Sequence, residues 1–325
     1  MLASVMATLT DELAGEYRVL KQDCGLIDRS ERGKLALTGT ERKPFLAGQV
    51  TNDIEGLTPG GGSYAAFLTH KGKMLGDLRV LAAEDDGAEP ELLLDTERAT
   101  LQALFDMVRR FKIGYDVELH KRTVQRGLLS LVGPGSRAIV GAGDLPVEEH
   151  VHRAGEIAGH AVRLIVADAG IDVLCDADDT EAVRKALVAA GATPICEDAT
   201  EILRVERGRP RYGHELDDGT IPQEAGLNDR AVSFTKGCYV GQETVARLFY
   251  RGKPNRHLRG LKLSEPVSSG TELRLGERVV GTLATSLVSP THGPIALALV
   301  RREAAPGDTV AVDGGATAQV VELPF

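Results

Sequence analysis

The sequence predicts a mixed α+β protein that ends in a small all-β region. Three observations carry this reading. Two segments repeat apolar residues at helical spacing, and several short Leu- and Val-rich runs lie alongside them. After about residue 258 only short strand-like stretches remain, separated by Gly, Pro, Ser and Asp turns.

In "TERATLQALFDMVRRF", Leu101, Leu104, Phe105 and Val108 fall at i, i+3, i+4 and i+7, with Arg109 and Arg110 at the C-terminal end where the helix dipole favours cations. In "DDTEAVRKALVAAG", Val183, Ala186, Leu187 and Ala190 repeat that spacing, and Gly191 stands where a C-cap glycine belongs. Strands are predicted at "KLALT" (34–38), "LRVLA" (78–82), "ELLLD" (91–95), "LLSLV" (128–132) and "AVRLIV" (161–166). "LALTGTERKPFL" and "LSLVGPGSRAIV" both read strand, glycine, polar turn and apolar helix start, with Gly39 matching Gly133 and Phe45 matching Ile139. The two readings of this match are chance similarity of short segments and two similar α+β halves. The domain division expected is an α+β region over 1–250 and a β-barrel domain over 258–325, joined by the polar, basic link "YRGKPNRHLRG".

At 325 residues the chain can bury a sizeable core, and 42% hydrophobic with 26% charged residues is the composition of a globular protein. A net charge of -9 argues against direct, nonspecific nucleic-acid binding, which needs a basic face. The cysteines stand at 24, 175, 196 and 238 without a C-x-x-C or a His/Cys cluster, so no permanently bound metal is expected. The N-terminal stretch lacks a basic segment followed by an apolar run, and "GPIALALV" is too short to span a bilayer. No membrane association and a cytoplasmic location are therefore expected.

The decapeptide "TKGCYVGQET" sets Cys238 between Gly237 and Tyr239, two residues after Lys236 and shortly before a predicted helix. A nearby ammonium and a helix N-terminus both favour thiolate. From the residues alone two readings stand: a reactive thiol, and a small hydrophobe packed in a tight turn.

"KGCYVGQE" followed by "VAR" resembles the signature of the YgfZ family, folate-binding proteins related to the glycine-cleavage T-protein (aminomethyltransferase) and to mitochondrial iron–sulfur assembly factors. "FLAGQVTNDI" (45–54), "THKGKMLGDLRVL" (69–81), "RVERGRPRYGHEL" (204–216) and "IPQEAGL" (221–227) resemble family segments in the family's order. The resemblance runs from about Cys24 to Arg259.

It implies an aminomethyltransferase-like folate-binding fold, three lobes around a central hole, with a C-terminal β-barrel. It also implies tetrahydrofolate or a derivative as cofactor, iron–sulfur client or assembly proteins as partners, and an indirect effect on tRNA modification. Cys238 would be the reactive thiol, with Lys236 beside it. Asp77 stands where the T-protein has an acid essential to one-carbon transfer, although that family has two adjacent acids and this chain has Gly76–Asp77. Tyr64 matches a ring-contacting tyrosine. Asp168, in "VADAGIDVL", stands where the T-protein has a pterin-binding glutamate; a simple turn aspartate is the other reading. Arg230 and Arg247 flank the cysteine motif and are candidates for a carboxylate tail. Arg251, Lys253, Arg256 and Arg259 read either as a solvated basic loop or as a strip for anionic groups.

Three functions are in play. The first is a folate-binding protein assisting iron–sulfur cluster assembly or repair. The second is a tetrahydrofolate-dependent aminomethyltransferase, and the third, which the net charge disfavours, is an RNA-binding module.

Overall fold

The computed structural model describes residues 9–84 and 89–325. They form two compact units. One comprises the chain up to Tyr17, Cys196–Leu227 and Thr244–Phe325; the other comprises Arg18–Ile195 and Asn228–Glu243. After helix α1 (Asp11–Gln22), the second unit contains β1 (Gly25–Asp28), β2 (Gly33–Thr38), α2 (Arg42–Ala47), β3 (Gly62–Leu68), β4 (Met74–Ala83), β5 (Glu91–Thr96) and α3 (Leu101–Phe111). It continues with β6 (Glu118–Lys121), β7 (Arg126–Val132), α4 (Ser136–Ile139), β8 (His152–Ile157), β9 (His160–Ala167), β10 (Gly170–Asp176), α5 (Thr180–Ala189) and β11 (Thr193–Pro194). The helices at 101–111 and 180–189 and all five strands of the sequence reading are present.

Two sheets arise, in the orders β3-β4-β5-β2-β6 and β8-β9-β10-β7-β1-β11. Read from β3 and from β8, they follow the same path through the chain. In each, a strand is followed by a glycine at positive φ (Gly39, 95°; Gly133, 123°) and a short helix. Each then borrows its next strand from the segment preceding the other. β1 pairs antiparallel with β7, Leu26 opposite Leu131, while β6 pairs with β2, Leu119 opposite Leu37.

Side-chain alternation fixes the layers. On the first sheet Leu35, Leu37, Leu78, Val80, Leu92 and Leu94 enter one core with Phe45, Leu104 and Val108 of the helices. Their strand neighbours Ala36, Leu81 and Leu93 face the other way and pack with Ile165 and Leu174 of the second sheet. The second sheet's outer core joins Leu129, Leu131, Ile171 and Val173 to Val183 and Leu187 of α5. The unit is thus layered helix–sheet–sheet–helix. Each fully buried Leu or Phe side chain contributes roughly 1.5–3 kcal/mol, so the face a strand residue takes is strongly specified.

The other unit contains α6 (Glu197–Glu206) and a seven-stranded antiparallel sheet. The short α7 (Asn228–Ala231) lies in the unit of the two sheets, and α8 (Gln242–Arg251) begins there and continues into the other. The strands are β12 (Arg256–Leu263), β13 (Glu272–Leu275), β14 (Arg278–Thr282), β15 (Thr285–Ser289), β16 (Gly293–Arg301), β17 (Thr309–Val312) and β18 (Thr317–Val321), in the order β14-β13-β17-β18-β12-β16-β15. As expected of a barrel domain, the sheet curls, here into a half-barrel around Leu261, Leu273, Ala298, Val310 and Val320. Among the described residues no helix is long and apolar enough to cross a membrane.

Candidate functional site

The face that the two sheets turn toward each other carries charge. On β4, Asp77 and Arg79 take the same parity as Leu81 and so leave the helix-side core for the inter-sheet side. Tyr64 on β3 donates its Oη hydrogen to Asp77 Oδ2 at 2.5 Å. Asp77 is 8% exposed, and burial raises its pKa, opposed by the Tyr64 bond and reinforced by nearby Glu97. Burial and the same carboxylate push the Tyr64 phenol well up. The pair is therefore a carboxyl and a phenol in which burial disfavours both charged forms.

A relay of charges continues from it. Arg32 bridges Asp95, at 2.8 Å, and Glu97. Arg79 donates to Asp95 and to Asp172 at 2.6 Å each, and Ser130 donates to Asp172. The two cations hold Asp95 below its ordinary range despite its burial.

The segment 228–243 closes onto this face. Arg230 lies over the Tyr64 ring at 5.2 Å and donates to Glu149 at 2.6 Å. Asn52 fixes the approach, donating to the carbonyls of both Tyr64 and Arg230. Thr51 donates to the carbonyl of Ala231 while accepting from the Ala66 amide. The "VTND" stretch thus ties the incoming segment to β3. Tyr64, Asp77 and Arg230 are brought together.

The cysteine loop differs from its expected form. Helix α8 begins only at Gln242, so Cys238 is not seated at its N-terminus. The Lys236 ammonium does not serve the thiol. It donates to the carbonyls of Ala47, Val50 and Asn52, which uses its three protons. Burial lowers its pKa to about 8. Lys236 also lies over the Tyr239 ring at 5.0 Å. Cys238 is exposed, not packed in the turn, while Cys24 and Cys175 are buried. Cys196 is exposed too, but its thiol donates to Glu16 at 2.8 Å.

Asp168 lies exposed in the two-residue turn between β9 and β10. Arg247 is exposed on α8, in the unit that holds the half-barrel. Within the basic run, Arg256 pairs with Glu224 and Arg259 with Glu322, so two of its four cations are neutralised. Among the described residues no His/Cys/Asp/Glu group is arranged to hold a metal ion.

The sequence reading did not find Arg32, Arg79, Asp95, Glu149, His150 and Asp172. The available signal was a charge interrupting each apolar strand run, as in "LRVLA", "ELLLD" and "GIDVL".

Residues 6–236 match the family described as the GCVT N-terminal domain. Residues 256–325 match the glycine cleavage T-protein C-terminal barrel domain. The Arabidopsis thaliana protein named "Putative transferase At1g60990, chloroplastic" is 31% identical over 312 residues, covering 92% of this chain and 71% of its own. Among solved structures, the glycine cleavage system aminomethyltransferase T from Bartonella henselae is similar with a TM-score of 0.85 at 22% identity, covering 98% of this chain and 91% of that one. At that identity the likeness is one of fold.

Proposed function

Because the chain belongs to the family of the GCVT N-terminal and glycine cleavage T-protein C-terminal barrel domains, we propose that it is a folate-binding protein of the YgfZ type that assists iron–sulfur cluster assembly or repair. The observation that carries folate binding is the buried Asp77 bonded to Tyr64, with Arg230 across the phenol ring. A reduced folate has a flat heterocycle rich in N–H groups and a tail ending in carboxylates. The donor set fits it. Asp77 offers carboxyl oxygens to N–H groups, Tyr64 offers an aromatic face, and the partly exposed Arg230 offers a guanidinium to a carboxylate. When bound, the folate supplies one-carbon carriage. The residues of this chain bind it, orient it and keep water from the Asp77 edge.

Cys238 supports the assembly role as an exposed thiol on the loop that follows Arg230. The Lys236 ammonium is not directed at this thiol, because its protons go to three carbonyls. The location proposed remains the cytoplasm, and the indirect link to tRNA modification follows from the iron–sulfur role.

The alternative is an aminomethyltransferase, which the buried Asp77, its pKa raised by burial, favours. Against it stands Gly76, where the T-protein has a second acid. A Cβ at Gly76 would lie 2.5 Å from the Phe67 ring and 2.8 Å from Cβ of Thr100, so this position has no room for a carboxylate.

Calorimetric titration with tetrahydrofolate and 5-formyl-tetrahydrofolate tests the reading. Saturable binding of at least one is expected, and binding of neither removes it. With an aminomethyl-lipoyl donor and tetrahydrofolate, no ammonia release is expected. Sustained, Asp77-dependent release would install the transferase reading instead.

A further inference from the structure

Among the described non-glycine residues only His150 and Ala158 have positive φ, at 73° and 52°. Ala158 sits in the two-residue hairpin turn between β8 and β9, which demands it. His150 occupies the third position of the turn Glu148–Val151, closed by the Val151 amide on the Glu148 carbonyl. Glycine or asparagine fills such a position at less cost, whereas a larger residue there stores backbone strain. The chain nevertheless places a histidine there and clamps it. The His150 amide donates to Val166 on β9 at 2.8 Å. On its other side, Gly62 of β3 approaches so closely that a Cβ would lie 2.6 Å from the His150 carbonyl oxygen.

The clamp aims the imidazole at the candidate site. Its ring centroid is 6.4 Å from that of Tyr64, at 36°. Nε2 lies 3.7 Å from Glu149 Oε2, too far for a hydrogen bond, and that oxygen already accepts from Arg230. Nδ1 is buried and has no hydrogen-bond partner among the described residues. Burial, with the cations Arg79 and Arg230 facing the ring and outweighing Asp172 and Asp95, lowers its pKa to about 3. The ring is neutral and carries one N–H. The neighbouring carboxylate favours that hydrogen on Nε2, which leaves Nδ1 a lone-pair acceptor. A buried acceptor left unpaired is costly, so its place beside Tyr64 needs a reason.

We propose that His150 Nδ1 accepts a hydrogen bond from a ring N–H of the bound ligand, making His150 a recognition residue that selects heterocycles presenting an N–H beside Tyr64. The proposal rests on the reading that Tyr64, Asp77 and Arg230 hold a reduced folate, and it names a contact that this reading lacks.

The test compares wild type with His150→Phe, which keeps a ring and loses the acceptor, and with His150→Gly, which suits the turn and removes the ring. Affinity is measured for tetrahydrofolate and for p-aminobenzoyl-glutamate, which has the tail without the heterocycle. Both variants should bind tetrahydrofolate about ten- to hundredfold more weakly, with affinity for p-aminobenzoyl-glutamate unchanged. If wild type binds tetrahydrofolate and both variants match it, the proposal fails while the folate reading stands. Equal losses for the two probes would make His150 a purely structural residue and overturn the proposal as well. No binding of tetrahydrofolate by wild type would overturn both.

Discussion

Arg79 on β4 and Asp172 on β10 form a buried ion pair at 2.6 Å that joins the two sheets across their shared face. The other terminal nitrogen of the same guanidinium reaches Asp95 on the neighbouring strand. Arg79→Met would leave two buried carboxylates without this partner. A loss of about 3–5 kcal/mol is expected from breaking a buried pair on one side, read as a lower urea midpoint at unchanged slope. A shift under 1 kcal/mol would mean that water screens the cluster.

Gly76 gives a steric prediction. Its missing side chain points into the core that holds Phe67 and Leu78. Gly76→Asp, which would restore two adjacent acids, should destabilise by more than the roughly 1–3 kcal/mol of overpacking, because the carboxylate is also buried. Thermal unfolding checks this. A variant as stable as wild type would show that the strand relaxes, and would reopen the transferase reading.

Asp77→Ala should weaken tetrahydrofolate binding about ten- to hundredfold, the equivalent of a charge-assisted bond of roughly 1.5–3 kcal/mol. Stability should fall little, since burial disfavours the charged carboxylate in the folded chain. An unchanged dissociation constant in the folded variant would place Asp77 outside the binding site.

The depressed pKa of His150 sets a pH dependence. With about 3 in the fold against 6.5 when unfolded, the unfolded chain binds the extra proton between those values. Its stabilising contribution is full above pH 6.5 and is lost as pH falls toward 3. Relative to His150→Asn, wild type should lose stability over that window with a slope approaching about 1.4 kcal/mol per pH unit. Urea unfolding of both proteins between pH 4 and 8 measures the difference, and a flat difference would refute the burial argument.

Cysteine labelling separates the four thiols. Burial pushes Cys24 up to about 11 and raises Cys175, and burial with the Glu16 carboxylate raises Cys196. Iodoacetamide at neutral pH should therefore modify Cys238 first. Cys238→Ser should keep the fold and folate affinity, yet fail to support iron–sulfur enzymes in cells. Normal support by the serine variant would leave the thiol without the proposed role.

Local pattern carried much of the fold. The 3.6-residue spacing of Leu101, Leu104, Phe105 and Val108 placed α3, and apolar runs placed β2, β4, β5, β7 and β9, because burial on one face imposes a period that a chain cannot hide. Pattern also marked Tyr64 and Asp77, through positions that resemble a family, and Arg230, through its place beside the cysteine motif. The half-barrel was legible as short strands, but the order in which those strands pair was not, because no strand's own sequence states its neighbours.

The charges between the sheets were decided by tertiary structure alone. Arg79 and Asp172 stand 93 residues apart, and each looks like a solvated charge at a strand interruption. Only the stacking of two sheets whose outer faces are already filled by helices forces both inward, where low dielectric makes each require the other. Lys236 shows the same division. In sequence it neighbours a cysteine, but in the fold its ammonium donates to three carbonyls at the end of α2 and in the turn after it. The sequence by itself determined which residues are apolar and in what period, and it left Cys238 open between a reactive thiol and a packed one. The tertiary structure decided which charges meet, since partners so distant in the chain are selected by packing and not by spacing.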